Sequence, residues 1–242
     1  MKGKWFMLAF LIAVAPFVLN SVAEALLFDF VGKDAKKWFD EIVNSPKTTE
    51  SGNAGWELTK DGLTTDDNIG TGHERIGIEE DWTDYTLESQ YTYLTLGAHK
   101  EAHLYVRWND EANNYFFRTI GRGGAGGAWS IEWLRKVAGG DNEGDICDLD
   151  GNLEDNTLYG LRGEIKDQTL TVDFFTDGKW EDGVGEVKYP GTFKKGGIGV
   201  GRASAHVAFK YLRVNGDGIP KDSTPVEALG KLATTWGRLK RW

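Results

Sequence analysis

From residue 84 to residue 214 the chain keeps returning to one pattern, with apolar side chains at every second position in runs separated by turn-forming residues. A period of two sends alternate side chains to opposite faces of an extended strand, so each run has one face to bury and one to expose. Leu104, Val106 and Trp108 alternate with His103, Tyr105 and Arg107, and Trp129, Ile131 and Trp133 alternate with Ser130, Glu132 and Leu134. Leu87, Tyr91 and Tyr93 mark one side of a long run from Asp84 to Leu96. Leu161, Ile165, Leu170, Val172 and Phe174 mark one side of a hairpin from Leu158 to Phe175 that turns at Lys166-Asp167-Gln168. Glycine supplies 32 residues and proline only 5, which suits many tight turns. Strands at fairly even spacing predict an all-β sandwich or barrel and exclude βαβ units. Its expected core includes Trp56, Leu87, Val106, Ile131, Leu161, Ile165, Val172, Ile198 and Phe209.

The remaining segments fill in the order. Leu26 to Phe30 and Arg75 to Ile78 read as short strands, Trp56 to Leu63 as a hairpin over Asp61-Gly62, and Asp34 to Ile42 as a helix with Trp38, Phe39 and Ile42 on one side. Ser45 to Asn53 reads as a polar loop, and Ala102 to Trp108 as a strand separate from the run before it. Asn113-Asn114 is the expected turn into Tyr115 to Ile120; Gly121 to Gly127 and the acidic stretch Gly139 to Asn156 are expected loops. Gly197 to Gly201 and His206 to Val214 close the series.

The two ends differ from the middle. Lys2 and Lys4, an apolar run from Trp5 to Leu19 and Ala23-Glu24-Ala25 have the layout of a secretory signal peptide cleaved after Ala25. The run is short of the roughly 20 residues that cross a bilayer, and an uncleaved anchor is the competing reading. At the other end, Thr224-Pro225-Val226-Glu227 is a helix capping box. Val226, Leu229, Leu232, Ala233, Trp236 and Leu239 then recur at helical spacing beside Lys231, Arg238, Lys240 and Arg241. Such a helix either packs back on the sandwich or contacts a partner or membrane surface. The expected organisation is a signal peptide over 1–25, a sandwich domain over 26–216, and a linker with a short amphipathic helix over 217–242. The expected location is extracellular or periplasmic.

Setting aside Lys2, Lys4 and Glu24 takes the formal charge from −9 to −10. An acidic surface argues against nucleic acid as a partner, because phosphate binding needs clustered Lys and Arg. Cys147 is the only cysteine, so no internal disulfide holds the chain. Its neighbours Asp145 and Asp148 raise a thiol pKa rather than activate it. Within the acidic stretch, Asp145, Asp148 and Asp150 are candidate oxygen ligands for calcium, with a merely solvated loop as the other reading.

Taken in order, the motifs resemble the concanavalin A-like jelly-roll superfamily, and within it the secreted 3-keto-disaccharide hydrolase-like domain. The resemblance rests on Phe30, Gly32 and Trp38; on the hairpin Trp56 to Leu63; on Asp81 to Glu88 leading into the long strand; and on the strand pair His103 to Arg118. It continues through the hairpin Leu158 to Gly178 and the closing run Gly197 to Val214. The family's Ser-Gly before the aromatic and arginine is lost here, where the strand reads Glu101 to Arg107, and a Gly-Asn-rich segment before the second hairpin is missing. The resemblance therefore implies the fold more firmly than hydrolysis.

Sugar recognition in water needs an aromatic face and charged groups that hydrogen-bond hydroxyls. Alternation predicts His103, Tyr105 and Arg107 on the outward face, with Arg118 and Glu132 on the following strands, as a ligand site. The expected partner is a glycan or polysaccharide. A divergent glycoside hydrolase is one alternative, and a protein-binding module using the sheet and the tail helix is another. Glu143-Gly144-Asp145-Ile146-Cys147-Asp148 only approximates the paired-carboxylate strand of jelly-roll glucanases, and no catalytic pair is assigned.

Overall fold

The computed structural model describes residues 25–52, 55–65, 73–121 and 129–220. The signal segment, most of the expected 121–127 loop and the C-terminal helix lie outside the described residues. After β1 (Leu26–Asp29) comes helix α1 (Ala35–Val43), whose Trp38 meets Phe28 edge-on at 5.7 Å. Strands β2 (Thr48–Ser51), β3 (Trp56–Thr59), β4 (Gly62–Thr65) and β5 (His73–Ile78) follow. The middle of the chain is β6 (Tyr85–Asp110), β7 (Asn113–Gly121), β8 (Trp129–Val137) and β9 (Gly140–Leu149). The last third is β10 (Leu158–Lys166), β11 (Thr169–Thr176), β12 (Lys179–Lys188), β13 (Gly197–Phe209) and β14 (Tyr211–Gly216). No helix among the described residues is long and apolar enough to cross a membrane.

Two strands, β6 and β13, run through both layers of a sandwich. Their first and second halves pair antiparallel, with Ala205 opposite Leu96 on one side of a bend and Ala203 opposite Glu101 on the other. At that bend Ser204 and Lys100 take positive φ angles of 49° and 55°. The back layer runs β12-β11-β10-β6, continuing to β14-β1 at one end and to β13-β4-β3 at the other. The front layer runs β2-β5-β13-β6-β7-β8-β9. Between the layers, Trp129 of the front meets Phe174 of the back at 5.2 Å, and Tyr91 and Tyr93 both bond the Thr119 hydroxyl. Every residue of the expected core is buried there.

Five expectations about elements need correction. The expected strands Gly197 to Gly201 and His206 to Val214 are divided elsewhere: β13 runs unbroken from Gly197 to Phe209, and the break before β14 falls at Lys210. The run from Asp84 to Leu96 and the strand from Ala102 are one strand, β6, because β13 bends with it and pairs with it on both sides of the bend. The expected loop over Ser45 to Asn53 contains β2, which pairs with β5. The expected acidic loop is largely β9, held by a nine-residue-pair ladder to β8. As an edge strand with mostly exposed side chains it has no apolar alternation to announce it. The turn into β7 sits at Glu111-Ala112 rather than Asn113-Asn114.

Candidate functional site

The outward face of the front layer carries charge where an ordinary sheet face carries isolated polar groups. Alternation on β6 sends Ala102, Leu104 and Val106 into the core and Glu101, His103 and Tyr105 outward. Opposite His103 stands Arg118 of β7, and opposite Arg118 stands Glu132 of β8. On the other flank, β13 places Gly201 opposite His103 and Ala203 opposite Glu101, and β5 places His73 beyond Ala203. These β13 residues are small, so side chains of β5 and β6 meet across that strand. The rings of His73 and His103 lie 5.7 Å apart. A Cβ on Gly201 would come within 2.9 Å of the Tyr105 ring, so glycine is what lets the tyrosine lie down there.

Arg118 is the hub. Its Nη1 donates to Glu101 Oε2 at 2.8 Å, its Nη2 to Glu132 Oε2 at 2.6 Å and to Glu143 Oε2 at 3.1 Å, and its Nε to Glu132 Oε2 at 3.1 Å. His103 Nε2 is 2.8 Å from the same Glu101 oxygen, and its Nδ1 is 3.1 Å from the Tyr105 hydroxyl. Burial works to raise the Glu101 pKa, but the His103 hydrogen bond and the nearby positive charges prevail and hold it at about 2. For His103, burial prevails over the attraction of Glu101 and brings the imidazole down to about 4. Both residues are therefore in their usual neutral-pH forms, a carboxylate and a neutral ring. Among the described residues, His73, Glu101 and His103 are the one group of three such side chains whose ligand atoms converge, all within 4.8 Å of one another.

The expected site residues divide in two. His103, Tyr105, Arg118 and Glu132 come together, but below the surface, at 0%, 0%, 6% and 1% exposure. The Tyr105 ring packs at 4.9 Å against Trp108 and 4.7 Å against Phe116, so it is not an open stacking platform. Arg107 is elsewhere. It is the bulged residue of β6, with φ 53°, where pairing shifts between Ile198–Val106 and Gly197–Trp108. The bulge reverses the alternation, so Trp108 joins Tyr105, Phe116 and Leu134 on the outer face, its indole seated on Gly77, and does not face the core as expected. The Arg107 guanidinium donates to the Trp82 carbonyl at 3.0 Å and the Asp167 carbonyl at 3.1 Å, and reaches Asp84 Oδ1 at 3.4 Å. It is fully buried and unavailable to a ligand.

Asp145, Asp148 and Asp150 are not brought together either. Asp145 and Asp148 are exposed on β9, opposite Glu132 and Ser130, and Asp150 follows the strand end. They do not form a calcium cage, because a strand spreads its carboxylates along one line. Cys147 is half-buried, and burial, with Asp148 adding to it, pushes its thiol pKa up. Three members of the site were not anticipated: His73, Glu101 and Glu143. Glu101 was legible, two residues before His103 on the same strand face. His73 and Glu143 reach the site only through pairing across strands. The glycine alternation Gly197, Gly199, Gly201 was the available signal that two flanking strands meet over β13.

No family model matches the chain, and no curated protein matches it. Solved structures do. The chain is similar to the carbohydrate binding module CBM66 from Bacillus subtilis, at 17% identity over 70% of this chain and 96% of that one, with a TM-score of 0.55. The legume lectin-like domain from Entamoeba histolytica matches at 9% identity, 80% and 97% coverage, and a TM-score of 0.55. Lectin II from Ulex europaeus matches at 9% identity, 80% and 99% coverage, and a TM-score of 0.52. At such identities the likeness is one of fold, and the fold is a concanavalin A-like jelly-roll β-sandwich.

Proposed function

We propose that the chain is a secreted carbohydrate-recognition domain that receives a glycan over the outer face of its front layer. One observation carries this reading: a row of charged groups, hydrogen-bonded from His103 through Glu101 and Arg118 to Glu143, crosses that face, with its inner members buried and with Glu143 at one end and the neighbouring His73 at the other exposed. Preorganised carboxylates and imidazoles at the rim accept and donate to sugar hydroxyls without reorganising first. Carboxylates outnumber the one guanidinium of the row, which favours neutral hydroxyls over uronates. The lectins and carbohydrate binding module that share the fold support the reading by analogy.

Hydrolysis, including the activity of the 3-keto-disaccharide hydrolase-like domain, finds less support. The two-carboxylate route needs one acid protonated near neutral pH. Glu101 is held at about 2, far below what such an acid needs. A glycan array probed with the purified chain and with Glu143→Ala tests the proposal. We expect retention of at least one neutral glycan and about a ten-fold loss in the variant, the scale of a lost charged hydrogen bond. An array without signal, or equal signal from both proteins, overturns it.

A further inference from the structure

We propose that His73, Glu101 and His103 form a binding site for a divalent transition-metal ion of the zinc class. Two imidazoles and one carboxylate are a zinc-type donor set, whereas calcium takes oxygen ligands. The ligand atoms already lie within 4.8 Å of one another. Around a tetrahedral ion with bonds of about 2.0–2.1 Å, they would be separated by roughly 3.3 Å. His103 Nε2 and Glu101 Oε2, now 2.8 Å apart across a shared proton, have only to part by about half an ångström as that proton gives way to the ion. The larger, closing movement falls to His73, the exposed member, while His103 and Glu101 sit buried in the sheet at 0% and 5% exposure. An exposed third ligand also leaves a path by which the ion enters.

The surroundings complete the site. When Nε2 of His103 binds a cation, its proton must sit on Nδ1, and the Tyr105 hydroxyl oxygen stands 3.1 Å away to accept it. Such a partner fixes the ring and its tautomer. Arg118 Nη1, at 2.8 Å, keeps holding the ligating carboxylate of Glu101. The guanidinium does not make the site cationic. Glu101, Glu132, Glu143 and the more distant Asp141 face it with Arg118, Arg75 and Lys136, four negative groups against three positive. Tyr105, Phe116 and Trp108 form an apolar wall on the same face, which strengthens metal–ligand bonds by excluding water. The inference does not depend on a glycan, and it applies whatever the face recognises.

The test uses the full, untagged chain, stripped with a chelator and titrated with Zn2+, Co2+ and Ca2+ by calorimetry. Absorption of the Co2+ form reports on the ligands. We expect one equivalent of Zn2+ and of Co2+, visible bands from a low-symmetry cobalt site, and no comparable uptake of Ca2+. His73→Ala should weaken Zn2+ binding about ten-fold or more, since one of three ligands is gone. As a change at an exposed position it should leave the melting temperature of the metal-free protein nearly unmoved. Glu101→Gln, checked for folding by circular dichroism, should alter the cobalt spectrum. Absence of Zn2+ binding, or Zn2+ binding that His73→Ala leaves unchanged, overturns the proposal. The glycan array repeated in chelator separates the two proposals, since glycan retention without metal supports recognition by the face alone.

Discussion

Arg107 holds three segments of chain together from inside the sheet. Its bulge breaks the β6–β13 ladder, and the freed backbone groups are satisfied by one side chain. The Tyr85 hydroxyl accepts from Arg107 N at 2.8 Å and donates to Gly197 O at 2.7 Å. The guanidinium then lies 5.7 Å from the Tyr85 ring centroid and bonds the carbonyls of Trp82 and Asp167. Alternation alone predicts a solvent-facing arginine whose removal is silent for stability. The observed contacts predict the opposite. Arg107→Ala should cost about 2–4 kcal/mol in urea unfolding, the scale of several buried hydrogen bonds plus a cavity. It should leave glycan retention by the remaining folded protein unchanged, because Arg107 lies outside the row built on Arg118. A variant as stable as the parent would show that Tyr85 and the neighbouring loops hold the bulge without it.

At the scale of elements, legibility followed burial. The β10–β11 hairpin was readable down to its turn because Leu161, Ile165, Leu170, Val172 and Phe174 bury one full face against the front layer. We expect Val172→Ala to destabilise the domain by about 2–3 kcal/mol, within the usual range for buried aliphatic truncation, as measured by denaturant midpoint. A midpoint shift near zero would mean that the back layer is not part of the cooperative core. Strands β2, β9 and β12 escaped notice for one reason. They lie at sheet edges, where β9 and β12 expose most of their side chains and β2 has four polar residues, so the ladder and not the hydrophobic pattern makes them strands. The site was half legible on the same grounds. Glu101, His103, Arg118 and Glu132 sit where strand alternation puts them. His73, Glu143 and the displacement of Arg107 depend on register and on a bulge, which a single strand's period does not encode.

For the whole molecule, the tyrosines set a boundary on conditions. Tyr85, Tyr91, Tyr93 and Tyr189 are enclosed between the layers, and burial pushes each phenol well above its ordinary value near 10. The hydroxyls of Tyr91 and Tyr93 are spent on Thr119, and that of Tyr189 donates to the Phe116 carbonyl at 3.0 Å. Because the folded pKa lies above the unfolded one, the stabilisation is fully present below pH 10. It is lost as pH rises, since only the unfolded chain gives up these protons. Each such tyrosine removes about 1.4 kcal/mol per pH unit above that point. Four acting together would exhaust a typical reserve of about 5–15 kcal/mol within roughly one to three units. Alkaline titration should therefore show tyrosinate absorbance rising in one steep step that coincides with loss of the β-sheet circular dichroism signal. Ionisation of these residues at ordinary phenol pH, with the sheet signal intact, would mean that water reaches the space between the layers.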